Sequence, residues 1–395
     1  MKLLTRTDLP VPGCGLIFSQ SPADFGVALA AAEVEAMQAL SRASLEIAGL
    51  EKSDRVLMAV SQDGSPSAHL LAQAASTLAG SVAVTSPKGR LRLLTTIRTL
   101  KPNTLVITPC GAADLLARLY LEFNIDPVEL ELTKIVLVGE IASPGLRKRL
   151  GKEFEADVSE LYCDPVFGAA LAARAGSTWE AADPETLKIA PIAPRPSGER
   201  EGPAQREGEG AASIASPSGG KSPNGDTPSP GAQGRSDLSP LGRGTEEGEL
   251  VLCPTWSKTL AGSAIRTGQV IRGKAGDAGL FNHTVGEHVL ARGQWLSLPR
   301  LRKQLMLIDG AARWSLTIDR GDRTLDSIVL TVGLDRETLV SNPMWTSRIQ
   351  QAVAATTPVK VEVKTELAKP DDGQPKEAVI DLRGHHVGID RTKVA

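Results

Sequence analysis

Along residues 21–49 apolar side chains return every three or four positions, SPADFGVALAAAEVEAMQALSRASLEIAG, the period of a helix with one buried face. Ser21 followed by Pro22 predicts an N-cap with proline in the first turn. Asp24 would lie where a negative charge favours the helix dipole, and Gly49 supplies the stop. Short apolar runs then alternate with amphipathic stretches. DRVLMAV (54–60), SVAVTS, TLVITP, KIVLVG (134–139) and a run ending at Tyr162 predict strands. Between them, SAHLLAQAASTLAG, GRLRLLTTIRTL, AADLLARLYLEF and SPGLRKRLGKEF predict helices. Apolar strands without polar alternation, separated by such helices, imply a parallel sheet covered on both faces.

The pattern breaks over 195–244, which is rich in Pro, Gly, Ser and charge; no aromatic residue occurs between Trp179 and Trp256. Such a stretch has too little apolar surface to offset its ordering entropy, so a disordered insertion is expected. Order resumes with EEGELVLCPT (246–255). From Pro299 the sequence predicts helix, strand, strand, helix, strand: PRLRKQLMLI, RWSLTI, SIVLTVGL, NPMWTSRIQQAVAAT and VKVEVKTE, with AVIDLRG closing. The expected fold class is therefore α/β: a large domain with a mainly parallel sheet flanked by helices, plus a small C-terminal ferredoxin-like α+β domain. The expected division is 1–194 (large domain, first part), 195–244 (insertion), 245–291 (large domain, final part and hinge) and 292–395 (small domain). A cleft between the domains is the expected ligand location.

Composition narrows the function classes. A formal net charge of −2 over 395 residues gives no electrostatic case for nucleic acid. Cys14, Cys110, Cys163 and Cys253 form no C-x-x-C pair, which argues against structural zinc or a disulfide framework. The first residues are too polar for a signal peptide, and no apolar run reaches the ~18 residues of a membrane span. A soluble cytoplasmic protein, with no membrane partner, is the expectation.

Several fragments, in order, resemble the phenylacetate–CoA ligase branch of the adenylate-forming (AMP-binding) enzymes. GQPKEAVIDLRG (373–384) is similar to that branch's glycine–lysine loop and closing strand, and ARGQWLSLPRLRKQL (291–305) to the segment after its hinge. EEGELVL resembles the strand before its arginine–threonine loop and IRTGQV that loop, KIVLVGEIASPGLRKRL its adenine segment, and ELYCDPVFGAA its Y-G-x-S-E segment. The resemblance implies two half-reactions: ATP and a carboxylic acid give an acyl-adenylate, and coenzyme A then displaces AMP. Its cofactors are ATP or AMP, magnesium and coenzyme A; its other ligand is a small carboxylic acid or acyl group. A homodimer or a partner subunit is also implied.

Carried over residue by residue, the resemblance implies nucleotide contacts for Gly139, Glu140 and Tyr162, and a ribose loop of Arg266, Thr267 and Gln269. Gln269 stands where the family has an aspartate, so the charge that strengthens a ribose hydrogen bond is missing. The magnesium-binding glutamate is also missing. Asp164 is the nearby carboxylate, a metal and catalytic candidate that reads equally as an Asp-Pro turn. FSQSPADFG (18–26) lacks the family's phosphate-loop core. Gly373 is followed by Gln374, and the candidate catalytic lysine, Lys376, comes two residues later, ~6–7 Å along an extended chain. His283, His288, His385 and His386 are expected to be solvated, and Cys163 a buried thiol. The expected function is a phenylacetate–CoA ligase-like homologue, impaired or non-catalytic, retaining a nucleotide or acyl pocket or needing no cofactor. An active acid–CoA ligase and a non-enzymatic interaction protein stand as alternatives.

Overall fold

A computed structural model describes residues 2–4, 16–19, 26–60, 66–86, 89–176, 179–191, 239–240, 247–258, 260–272, 283–320, 325–368 and 375–389. Short strand β1 (Lys2–Leu4) precedes a hairpin of β2 (Leu16–Ser19) and β3 (Gly26–Leu29), paired from Leu16↔Leu29 to Ser19↔Gly26. The first long helix, α1 (Ala31–Ile47), therefore begins at Ala31 and not at Ser21. Residues 26–29 are strand, and the expected cap, residues 21–24, lies outside the described residues. The working cap is Glu33, whose Oε2 accepts the Ala30 N–H at 2.8 Å.

The parallel sheet is as the pattern predicts. In chain order it is built from β4 (Arg55–Ala59), α2 (Pro66–Leu78), β5 (Ser81–Thr85), α3 (Arg90–Leu100), β6 (Thr104–Ile107), α4 (Pro109–Arg118), β7 (Lys134–Val138), α5 (Pro144–Phe154) and β8 (Asp157–Cys163). Antiparallel β9 (Ala170–Ala175) and β10 (Trp179–Ala181) extend one edge, giving the order β10-β9-β8-β7-β6-β4-β5. Strand alternation divides the core. Leu57, Leu105, Ile107, Ile135 and Leu137 pack with Leu94, Leu116 and Phe154 on one face. Val56, Met58, Val106, Val136 and Val138 pack with Leu45 and Leu71 on the other. Both faces being covered, the inner strands β4, β6 and β7 read as near-continuous apolar runs, whereas edge strand β5 is only partly buried.

A second sheet includes the expected strand EEGELVL, and its other members were not expected. It comprises β11 (Leu187–Pro191), β12 (Ser239–Pro240), β13 (Glu247–Leu252), β14 (Ser263–Arg272) and β15 (His283–Thr284), with β1 on its far edge. Within the expected 195–244 insertion, Ser239–Pro240 pairs with β11; the other residues of that stretch lie outside the described residues.

The C-terminal part opens with hairpin β16 (His288–Ala291) and β17 (Gln294–Ser297), then α6 (Leu298–Leu305), β18 (Ala311–Asp319), β19 (Ser327–Leu334), α7 (Glu337–Val340), α8 (Pro343–Ala354), β20 (Glu362–Leu367) and β21 (Glu377–Asp381). Its sheet runs β20-β19-β18-β21 over a core of its own, including Trp314, Leu316, Leu330, Ile349 and Val353. The architecture is a large mixed α/β unit with a mainly parallel sheet, plus a smaller ferredoxin-like α+β addition. Among the described residues, no helix is long and apolar enough to cross a membrane.

Candidate functional site

The end of β7 meets three other elements. Gly139 (φ 84°) turns the chain out of the strand, and Glu140 reaches across to the start of α4. Its Oε2 accepts the Cys110 N–H at 2.9 Å and its Oε1 the Cys110 thiol at 2.7 Å. Thr108 caps α4, its Oγ1 accepting the Gly111 N–H at 3.2 Å. The two-residue turn of the β16–β17 hairpin presses onto this corner. Arg292 (φ 50°) and Gly293 (φ 71°) both occupy the left-handed region that such a turn requires. A Cβ on Gly293 would lie 3.0 Å from Thr108 Cγ2 and 3.5 Å from Glu140 Oε1, so glycine is needed there for closeness as well as for conformation.

Arg292 is not a glycine, and its neighbours hold it. Its Nε donates to the Asp326 main-chain oxygen at 2.8 Å and its N–H to Asp326 Oδ2 at 3.3 Å. The fully buried Asp326 carboxylate also takes Arg320 Nε at 2.8 Å and Arg383 Nη1 at 2.5 Å. Arg383 additionally pairs with Asp381 and donates to the Leu290 main-chain oxygen. Burial favours protonation of Asp326, but the Arg320 hydrogen bond and the charges of Arg383 and Arg320 win and hold its pKa below the usual value. At Glu140 burial dominates and, with repulsion from Asp326, raises its pKa against the Cys110 hydrogen bonds. Burial, then Glu140, pushes the Cys110 thiol far up. The corner is therefore a protonation-biased carboxyl–thiol pair facing an arginine cluster, where the C-terminal sheet meets the large one.

The arginine–threonine loop is not a surface turn. IRTGQV forms the middle of β14. Arg266 Nη1 pairs with Glu249 Oε2 at 2.6 Å, and Glu249 Oε1 takes the Gly268 N–H at 3.0 Å. Thr267 Oγ1 donates to the Leu250 oxygen at 2.8 Å. Gly268 (φ 77°) could not carry a side chain, because a Cβ would come 2.9 Å from the Val285 oxygen. Gln269 is buried, and its Oε1 has no hydrogen-bond partner among the described residues.

The remaining expected residues lie elsewhere. Asp164 is fully buried. Its Oδ1 accepts the N–H groups of Val166 (2.9 Å) and Phe167 (2.6 Å), and its Oδ2 that of Ala169 (2.9 Å). This is a turn-holding carboxylate with both oxygens occupied and does not fit a magnesium ligand. Among the described residues no group of three His, Cys, Asp or Glu side chains is arranged to hold a metal ion. Tyr162 is buried in the core with Leu29, Met37, Leu70 and Phe167. Cys163 is partly buried, and burial raises its thiol pKa. Lys376 is exposed at the start of β21, five residues before Asp381, hence roughly 16 Å along the strand from the arginine corner. Its main-chain oxygen accepts the Trp314 N–H; Gly373 and Gln374 lie outside the described residues.

The structure thus brings Gly139 and Glu140 together with Thr108, Cys110, Arg292, Asp326 and Arg383, and sets Arg266, Thr267 and Gln269 beside Glu249 and Thr284. It joins neither group to Asp164, Tyr162 or Lys376 in any described hydrogen bond. The expectation of solvated histidines is corrected at two positions. His283 and His386 are buried, because residues 385–388 lie along β15, with the Thr284 N–H on the His385 oxygen (2.6 Å) and the Val387 N–H on the Thr284 oxygen (3.0 Å). Cys110 carried a usable signal: Thr-Pro at the end of an apolar strand predicts a capped helix start at the open end of a parallel sheet.

No protein-family model matches the chain, and no curated protein does. Solved structures do. A 2-hydroxyisobutyryl-CoA ligase, in complex with 2-HIB-AMP and CoA in the thioesterification state, superposes with a TM-score of 0.65 and 12% identity, over 93% of this chain and 73% of that one. The amide bond synthetase McbA from Marinactinospora thermotolerans gives 0.57 and 15%, over 89% and 64%. An o-succinylbenzoate CoA synthetase from Bacillus subtilis gives 0.55 and 14%, over 88% and 64%. At these identities the likeness establishes a shared fold.

Proposed function

We propose that the chain is a phenylacetate–CoA ligase-like member of the adenylate-forming enzymes that has lost the ATP-dependent half-reaction and keeps a pocket for an adenine nucleotide or acyl ligand. In this reading it is cytoplasmic, and residues 292–395 form the small domain behind a hinge. The observation that carries it is Asp164. The carboxylate nearest to the family's magnesium position has both oxygens committed to backbone N–H donors inside the core. Exposed Lys376, set along β21 away from the arginine corner, supports the same reading. Loss of a positioned cation at a developing charge costs several kcal/mol, on the order of a thousandfold in rate. Gly139, Glu140 and the β14 loop are the retained parts, and they concern the nucleoside rather than the triphosphate.

Carboxylate-dependent ATP–pyrophosphate exchange across a panel of aryl and fatty acids is the direct test, paired with titration calorimetry of AMP, ATP and ATP plus magnesium. The expected result is no exchange, binding of AMP in preference to ATP, and little gain from magnesium. Three phosphates bring more charge to desolvate, with few matched donors to receive it. Robust exchange abolished by Lys376→Ala refutes this reading in favour of an active acid–CoA ligase. No binding of either nucleotide refutes it in favour of a non-enzymatic interaction protein.

A further inference from the structure

The chain passes from the large unit to the C-terminal part through Val285, Gly286 and Glu287, between β15 and β16. Each is tied to a different element. The Val285 N–H donates to the Gly268 oxygen of β14 at 2.8 Å, and the Gly286 N–H to the Gly388 oxygen at 2.9 Å. The Glu287 oxygen accepts the Leu298 N–H of α6 at 3.0 Å. Gly286 has φ 96°, a region open to glycine at little cost, so it is the residue best able to absorb a large change of backbone angle. Its N–H is held by a segment that has already crossed the whole C-terminal part and come back.

That return segment, residues 384–389, stands on a firm root. The Leu382 N–H donates to the Ile318 oxygen at 2.9 Å, and Arg383, 4% exposed, pairs with Asp381 and Asp326. From there the segment lies along β15, with His386 opposite Thr284. The Thr284 N–H donates to the His385 oxygen at 2.6 Å, and the Val387 N–H to the Thr284 oxygen at 3.0 Å. Thr284 Oγ1 is 3.0 Å from both the His385 oxygen and His386 Nδ1. Thr284 belongs to the large unit and the return segment moves with the C-terminal sheet, so turning that sheet about Gly286 breaks these bonds together. His386 is buried, but Val387 is 40% exposed and Ile389 37%, so the segment is held mainly by hydrogen bonds. Little apolar burial places it among the parts of a fold that open at low cost.

We propose that residues 384–389 are a latch on the connector: paired with Thr284 and Gly286, they hold the C-terminal part in one orientation against the large unit, and they must unpair before that part turns. The proposal rests on the reading above of a hinge ahead of residue 292, and adds what keeps it shut. The latched orientation also covers the Glu140 corner. It presses Gly293 onto Thr108 and Glu140, and it sets Asp326 where its charge adds, after burial and Glu140, to the rise of the Cys110 thiol. Cys110, 5% exposed there, reports on the orientation from a place the latch does not touch.

The test follows iodoacetamide labelling of the Cys110 peptide by mass spectrometry, with amide exchange at Thr284 and Gly286 as the sign that the latch itself has opened. Val387→Pro removes a latch N–H at an exposed position and leaves the core alone. It should speed Cys110 labelling about tenfold, the weight of one hydrogen bond on an opening equilibrium, with the urea midpoint unchanged. A chain ended after Gly384 takes its place should the proline variant lose stability globally. Thr284→Cys with His386→Cys locks the latch instead, since facing strand partners lie about 4.8 Å apart, within the roughly 4.4–6.8 Å that a disulfide spans. Its oxidised form should label at Cys110 more slowly than wild type given the same oxidant. Equal labelling in wild type, locked form and Val387→Pro, with the amides of Thr284 and Gly286 freed in the last, overturns the proposal. Small-angle X-ray scattering then tells which reading has failed. A spread of orientations in all three forms means that the C-terminal part turns with the latch shut, so the latch is wrong and the hinge stands. One orientation in all three, Val387→Pro included, means that nothing turns when the latch opens, and latch and hinge fall together.

Discussion

Replacing Asp326 by alanine should be among the most costly single changes in the C-terminal part. The carboxylate is fully buried, and three residues donate to it: Arg320, Arg383 and the Arg292 N–H. Their losses are unequal. Arg320 is 27% exposed and can return to water, so its share is small. Arg383 is 4% exposed and keeps Asp381 and the Leu290 oxygen, but is left with one anion where it had two. Removing one partner of a buried ion pair costs about 3–5 kcal/mol, and the retained Asp381 places the expected loss toward the lower end. Asp326→Asn keeps an acceptor oxygen and should cost less, about 1–3 kcal/mol. The pH dependence has a definite sign. Asp326 titrates below the ordinary value of 3.8 in the folded protein, so its stabilisation is complete above that value and is lost as pH falls through the folded pKa. Urea unfolding followed by tryptophan fluorescence, Trp314 lying in the same core, measures both effects. The gap between wild type and Asp326→Asn should narrow from pH 7 to pH 3. An Asp326→Ala protein within about 1 kcal/mol of wild type, or a gap independent of pH, would refute the claim that this carboxylate anchors the corner.

Three further outcomes are expected. Gly310 has φ 81°, and a Cβ there would lie 2.4 Å from Leu339 Cδ1 and 2.6 Å from Asp335 Oδ1; Gly310→Ala should destabilise by about 2 kcal/mol or more, and an unchanged urea midpoint contradicts it. Glu140→Gln removes the charge that, after burial, raises the Cys110 thiol; iodoacetamide labelling of the Cys110 peptide at pH 8, read by mass spectrometry, should speed up severalfold, and equal or slower labelling contradicts it. Asp164 is pushed up to about 6 by burial, against its backbone N–H donors. Its neutral form is the one favoured on folding, so that contribution is present below the ordinary 3.8 and is lost as pH rises through about 6. Wild type should lose stability relative to Asp164→Asn over that window, and parallel pH profiles would show that the three N–H donors hold the carboxylate ionised instead.

The inner parallel strands were legible because β4, β6 and β7 are mostly buried apolar runs between amphipathic helices, and KIVLVG also located the mouth of the sheet at Gly139-Glu140. The start of α1 was not. Ser-Pro carries capping chemistry wherever the chain turns, and Leu16–Ser19 with Gly26–Leu29 is too short for period-two alternation to outweigh a helical stripe that follows. The second sheet was hidden for a topological reason. Its strands come from both sides of the long polar stretch and from residues 2–4, and periodicity says nothing about which distant segments pair. The arginine corner was hidden likewise, since Cys110, Glu140, Arg292, Asp326 and Arg383 meet only through the fold.

The substituted loop shows how far a family pattern carries and where physics must take over. The resemblance sets Gln269 where an aspartate is expected, and on that ground alone it would be a weakened contact. Its surroundings add what the match cannot. The amide oxygen is buried and has no hydrogen-bond partner among the described residues. An unpaired buried polar atom costs roughly 1–3 kcal/mol, and replacing such a group by an apolar one of similar shape recovers most of it.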